Sequence, residues 1–275
     1  DKYIYLLKDS KNSIAFIKGK IASLAKEKYY EDAYILLNGL TYVEFNKDNM
    51  GKLLYVCNLL RSKNNVFEDE EIKAIERGKG LSAFPDCYYY EAQVEFEKCN
   101  SDKAFICINE YLRRGGKAYP EVNELKNAIE GAINLQKGKE LLTSDPKKAL
   151  IYLIPLMDKD KGNVELLYYV AVAYRNLEDH YKAIYYLNQA LHLDNDYADV
   201  VNELGINYSC IGNYNEAIKY FRKAFSVTHS IEICTNLVMC YYNIGDKKQA
   251  RLHLDIAEKL NPKDEVVLKL EKLLK

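Results

Sequence analysis

The sequence predicts an all-α chain, a solenoid of antiparallel helix pairs with about seven hairpins, some of them degenerate. Three observations carry that expectation. Between residues 164 and 262, Ala183, Ala217 and Ala250 recur at offsets of 34 and 33 residues, a period that marks stacked helical hairpins. The alanines travel with companions: Leu187, Phe221 and Leu254 four residues on, Ala190, Ala224 and Ala257 three further, and Tyr174, Tyr208 and Tyr241 ahead of them. Upstream, Ala33, Ala104 and Ala149 fall in the same frame. A small residue kept in register marks a place where helix backbones approach closely, so that a larger side chain overpacks at about 1–3 kcal/mol. Two helices alone cannot bury their apolar stripes, and stacking the next pair completes the core.

Taken in order, residues 3–7 are apolar but too short to assign. From Ser13 the pattern is helical, through Ile14, Ile17, Ile21 and Leu24, then Ala33, Leu37 and Leu40. A second unit is expected near Asp48, with an apolar face of Leu53, Leu54, Val56, Cys57 and Leu60. Its second helix reads poorly, because residues 67–80 crowd charges around Ile72, Ala74 and Ile75, and the unit is classed as degenerate. A better unit begins at Pro85, with Asp86 as the expected cap of its first helix and Asn100 or Ser101 of its second.

Arg113-Arg114-Gly115-Gly116-Lys117 reads as a helix stop and loop. Pro120 suits the first turn of a long helix running toward Leu142. The aligned starts here lie 45 residues apart against the usual ~34. A division into 1–116, degenerate N-terminal hairpins, and 117–275, a regular array with a terminal capping helix, follows. Asp145-Pro146 opens the next second helix, and Pro155 inside it is expected to produce a kink. Asp179, Asn213 and Asp246 stand at one place in successive units as helix N-caps, with Gly212 and Gly245 just before two of them. Pro262 introduces a final helix over 263–274, whose mixed charge suits the solvated end of a stack.

Hydrophobic residues make up 48% of the chain and charged residues 29%, a balance that supports a packed core rather than disorder. A net charge of −1 supplies no bulk field for nucleic acid or an acidic membrane. Seven Cys at irregular spacings lack any CxxC, and the four His do not pair with them at zinc-finger spacing. They read as small buried hydrophobes in a reducing compartment, the cytoplasm. No apolar run reaches the length of a membrane span. Because the chain opens on Asp1, it is expected to be a piece of a longer protein.

The spacing Leu204-Gly205-x-x-Tyr208, then Ala217-x-x-x-Phe221-x-x-Ala224, resembles the tetratricopeptide repeat (TPR), most clearly over residues 130–262. The resemblance implies a right-handed superhelical solenoid whose first helices line a groove for an extended peptide or a partner's helix. Carried over position by position, that groove has three tiers. The first holds Glu165, Tyr168, Tyr169, Arg175 and Asn176, the second Asp199, Asn202 and Glu203, and the third Glu232, Asn236, Met239, Tyr242 and Asn243.

Glu165, Asp199 and Glu232, with Asp86 in its own unit, form either an acidic rail selecting a basic partner or first-turn acids complementing helix dipoles. Asn176, Asn202, Asn236 and Asn243 either grip a peptide backbone through their amides or are solvated groove polars. The family's two-carboxylate clamp for chaperone tails needs Lys and Arg where this chain has Tyr168, Asn202, Glu203, Glu232 and Asn236, so that ligand is disfavoured.

Gly78-Lys79-Gly80 and Gly115-Gly116-Lys117 are too short for a phosphate loop, and no HExxH, GxSxG or paired-carboxylate motif stands out. No catalytic, metal or cofactor residue is assigned. The expected function is a non-catalytic protein or peptide-binding scaffold, with self-association through the groove or terminal helix also open. Alternatives are the appendage of a larger enzyme such as a glycosyltransferase, or a peptide-sensing regulator.

Overall fold

The alanine frame fixes where each second helix lies. In the computed structural model, which describes residues 11–274, six second helices start three residues before a register alanine. These are α2 (Tyr30–Val43), α6 (Ser101–Arg113), α8 (Pro146–Lys159), α10 (His180–Leu193), α12 (Tyr214–Thr228) and α14 (Lys247–Leu260). The first helices are α1 (Lys11–Lys26), α3 (Lys47–Arg61), α5 (Asp86–Glu97), α7 (Pro120–Leu141), α9 (Val164–Asn176), α11 (Ala198–Cys210) and α13 (Ile231–Asn243). With α4 (Glu68–Lys79) and α15 (Glu265–Leu273) the described residues form fifteen α-helices, each pair packing on the next within its unit. The apolar stretch 3–7 lies outside the described residues.

Two compact units result, one ending at Ile133 and the other starting at Asn134. Helix α7 contributes Val122 and Ile129 to a core cluster of the first and packs Leu135 and Leu141 against a cluster of the second.

All six register alanines are fully buried at 0% exposure, and Leu37, Ile108, Leu153, Leu187, Phe221 and Leu254, four residues on, are buried beside them. The same frame explains Gly205. A Cβ there would stand 2.6 Å from the Phe221 ring, so the largest residue at its position faces a backbone without a side chain. Where the counterparts of Phe221 are Leu187 and Leu254, the first helices carry Ala171 and Val238.

Hairpin turns repeat as well. Lys28, Cys99, Glu178, Gly212 and Gly245, each five residues before a register alanine, have φ between 61° and 82°. Glycine was expected at two of these; the left-handed turn recurs at three further places without it. Across the hairpin, Tyr174 stacks on Tyr186 at 5.5 Å, Tyr208 on Tyr220 at 5.4 Å and Tyr241 on His253 at 4.9 Å.

The unit classed as degenerate is a full helix pair. A 3-10 turn, Asn65–Phe67, lengthens its connection, and α4 then starts three residues before Glu71. Glu71, Ile75 and Gly78 therefore occupy the register of Ala33, Leu37 and Leu40, and all are buried. The charge that made this helix read poorly is the residue in the alanine position. Glu71 is tolerated there because Arg61 Nε donates to it at 2.5 Å and Asn58 Nδ2 at 3.3 Å, while Arg61 also pairs with Glu97.

Capping follows the expected residues in the regular repeats. Asp145, Asp179, Asn213 and Asp246 accept from the backbone N–H of Lys148, Lys182, Glu216 and Gln249. Asp86 does not cap: it is the first residue of α5, behind Pro85. Asn100 precedes α6 without a side-chain cap bond, and Ser101 is already helical. The last helix starts at Glu265 rather than 263, its cap being Asp264. Helix α8 continues through Pro155 to Lys159.

Candidate peptide groove on the first helices of the C-terminal unit

Helices α9, α11 and α13 pack against one another in sequence as well as on their own second helices, which places their named residues in three adjoining tiers. Their apolar faces, including Leu167, Ala171, Leu204, Leu237 and Val238, are buried. The polar residues between these contacts are left to face one another or open space.

In the first tier the chain's own side chains take up the polar groups. Lys139 Nζ lies 2.8 Å from Glu165 and 4.5 Å from the centre of the Tyr169 ring, and the Tyr169 hydroxyl donates to Glu165 at 3.0 Å. The bond from Lys139 holds the Glu165 carboxyl below its ordinary pKa. Asn176 Nδ2 donates to the Leu142 carbonyl at 2.7 Å, so this amide braces the start of the unit. Tyr168 packs against Tyr169 and Tyr197 at 5.3 and 6.3 Å. Burial, followed by the nearby Glu203 and Asp199 carboxylates, pushes its hydroxyl up to about 12.

Between the first and second tiers, Arg175 Nε donates to Glu203 at 2.8 Å. Glu203 is buried, and desolvation raises its pKa against the pull of Arg175. Beneath it, fully buried Asn207 donates to the Glu203 carbonyl at 2.8 Å and meets His180 Nδ1 at 3.0 Å.

The remaining residues are open. Asp199 and Glu232 are exposed, and neither is in an ion pair among the described residues. Asn202 is half-buried, and its side-chain oxygen is shut off from solvent with no hydrogen-bond partner. Asn236 and Tyr242 are half-buried, while Met239 and Asn243 are exposed. The helix starts at Val164, Ala198 and Ile231 put Thr235, not Asn236, opposite Asn202 in register. The four amides therefore do not form one stripe. The acids Glu165, Asp199 and Glu232 do share one register, each in a first turn.

Sequence reasoning missed Lys139, Tyr197 and Asn207. Lys139 belongs to the helix before the regular repeats, outside the frame that located the groove. Asn207 had a signal, a polar residue between Gly205 and Tyr208 in an otherwise apolar stripe. The cysteines are free, and burial pushes the Cys57 and Cys107 thiols up to about 12 and those of Cys87 and Cys234 to about 11, which suppresses thiolate chemistry. Among the described residues no helix is long and apolar enough to cross a membrane.

Serial helix pairs in a common register, with first helices adjoining, define a helical-repeat protein. Residues 198–228, the pair α11–α12, match the tetratricopeptide repeat family model. They form a tetratricopeptide repeat, and the fold of the chain is that of tetratricopeptide-repeat proteins. In the crystal structure of the APC/C hetero-tetramer Cut9–Hcn1, a chain at 16% identity matches 98% of this chain over 56% of its own length, with a TM-score of 0.50. The crystal structure of MamA matches at 21% identity over 62% of this chain and 95% of that one, with a TM-score of 0.46. PilF of Pseudomonas aeruginosa matches at 16% over 69% and 82%, with a TM-score of 0.47. At these identities the likeness is one of fold. No curated protein matches the sequence.

Proposed function

We propose that the chain is a non-catalytic scaffold that binds a protein or an extended peptide along α11 and α13. The observation that carries this reading is the Asn202 side-chain oxygen, buried and unpartnered. An unmet buried acceptor costs about 1–3 kcal/mol, and a turn of the half-buried Asn202 side chain to meet an N–H of a bound backbone would remove that cost. Asn236, whose side chain makes no hydrogen bond among the described residues, stands in the adjoining tier, with Met239 and Tyr242 beside it to cover apolar side chains. Free Asp199 and Glu232 favour a partner that is basic along one edge. The first tier, where Lys139, Arg175 and Asn176 are already engaged, acts as a buttress rather than a contact surface. Seven free cysteines suit work in a reducing compartment, in our reading the cytoplasm.

The test is selection of binding peptides from a displayed random library, followed by affinity measurement on the Asn202→Ala, Asn236→Ala double variant. The expected result is a loss of about tenfold or more, equivalent to about 1.4 kcal/mol, with unchanged helical circular dichroism. Equal affinity for both proteins would remove this pair from the site.

A further inference from the structure

A second, chemically different recess lies in the N-terminal unit. It is a cavity of about 230 Å³ at the starts of α5 and α7, walled by Tyr89, Tyr90, Tyr111 and Tyr119, with the carboxylates of Asp86 and Glu121. That volume falls below the roughly 300–1,000 Å³ of pockets for drug-sized molecules and suits a single side chain. The rings do not stack face to face. Tyr89 meets Tyr90 at 5.4 Å and 68° and Tyr111 at 5.7 Å and 46°, so the rings that wall the space lie in different planes. Tyr111 is buried and held in place by the bond its hydroxyl donates to the Lys117 carbonyl at 3.0 Å.

Asp86 is the unexplained group. It is half-buried at the first position of α5, yet it neither caps that helix nor forms a hydrogen bond or ion pair among the described residues. Burial alone moves its carboxyl above the ordinary range, so its charge is desolvated and no protein cation compensates it. Its field is felt by Tyr90 and Tyr111, and that of Glu121 by Tyr89. The nearby basic side chains are placed elsewhere. Arg114 is bound to Glu110 and lies over Tyr88, and exposed Lys117 holds its ammonium 6.0 Å from the Tyr119 ring centre at the rim. Electron-rich ring faces and an uncompensated carboxylate both favour a cation.

We infer that this pocket receives the ammonium group of a lysine side chain from a bound protein or peptide, the four tyrosines covering its methylenes and Asp86 and Glu121 facing its charge. The inference shares with the proposed function the premise that the chain binds peptides, but it uses the other unit and none of the groove residues. The two are therefore separable by experiment.

The test uses the whole chain with ring-labelled tyrosine, titrated by NMR with a capped pentapeptide carrying one central lysine among glycines, and with its norleucine counterpart. The expected result is a saturable shift of the Tyr89 and Tyr111 signals by the lysine peptide, with norleucine binding about tenfold more weakly or worse. Asp86→Asn should weaken lysine binding at least about fivefold with unchanged circular dichroism, and Glu121→Gln should weaken it less. The Asn202→Ala, Asn236→Ala variant should bind as the parent does. Equal binding of the norleucine peptide, indifference to Asp86→Asn, or no saturable shift at all would each overturn the inference, whatever the groove variants do to selected peptides.

Discussion

Glu71 stands where six other hairpins carry alanine, and its carboxylate accepts a 2.5 Å hydrogen bond from Arg61 Nε, with both side chains at or below 2% exposure. Desolvation drives the Glu71 carboxyl upward in pKa, and Arg61 opposes that shift. The pair is thus held by mutual need. Glu71→Ala would restore the repeat's usual residue, yet it strands a buried guanidinium. Removing one partner of a buried pair costs about 3–5 kcal/mol; the remaining contact to Glu97 places the expected loss near the lower end. Arg61→Leu combined with Glu71→Ala should recover most of it, because the two charges leave together. Urea denaturation of the single and double variants checks this, and a single variant as stable as the parent would refute it.

A second expectation concerns a close approach of backbone and side chain in the regular array. Gly205→Ala puts a methyl group about 2.6 Å from the Phe221 ring, with both residues buried. Overpacking of this kind costs about 1–3 kcal/mol. Phe221→Leu in the same chain reproduces the Ala171 and Leu187 combination of the preceding hairpin, and should return part of the stability. Thermal melts of the two variants decide it: equal destabilisation with and without Phe221→Leu would mean that the ring is not the obstacle.

What was legible in the sequence follows from the range of the forces involved. The register alanines declare themselves because the close approach of a neighbouring backbone favours the same small residue in six of the seven hairpins. Asp145, Asp179, Asn213 and Asp246 declare themselves because a cap bonds to an N–H three residues away. The helix that carries Glu71 read poorly because the partners of that carboxylate, Arg61 and Asn58, lie 10 and 13 residues away in sequence, and no local pattern reports such contacts. The groove was located by register alone, and register cannot tell an open residue from an engaged one. Glu165 and Asp199 look equivalent in sequence, but Lys139 covers only the first. The tyrosine pocket was hidden for the same reason, since Tyr119 and Glu121 belong to the irregular stretch that interrupts the frame.

The left-handed turns give a stabilising prediction. Glu178 holds φ 61°, the conformation that Gly212 and Gly245 supply in the next two hairpins. A side chain in that region is strained by roughly 1–2 kcal/mol, offset in part by the lower entropy of the unfolded non-glycine chain. Because Glu178 is exposed and forms no ion pair among the described residues, Glu178→Gly should raise stability by about 0.5–1 kcal/mol. Gly212→Ala should lower it by a similar amount. Opposite signs for the two substitutions in one urea series are the test, and two losses would mean that Glu178 contributes something the turn geometry does not contain.

Acid should act through the caps. Asp145 and Asp179 are held below the ordinary carboxyl pKa, first by Lys148 and Lys182 and then by the backbone N–H groups that they cap. Their folded-state values therefore lie below the unfolded value of about 3.9. The stability they add is fully present above that value and is lost as pH falls through the depressed folded values. Asparagine accepts the same cap bond but carries no titrating charge. The Asp145→Asn, Asp179→Asn double variant should thus fold at neutral pH with its helices intact, and its urea midpoint should decline less steeply below about pH 4 than that of the parent. The slope that survives belongs to other depressed carboxyls, among them Glu110 at about 2 between Arg113 and Arg114 and Glu165 beside Lys139. Parallel midpoint curves for parent and double variant would show that the two caps are not where the acid sensitivity resides.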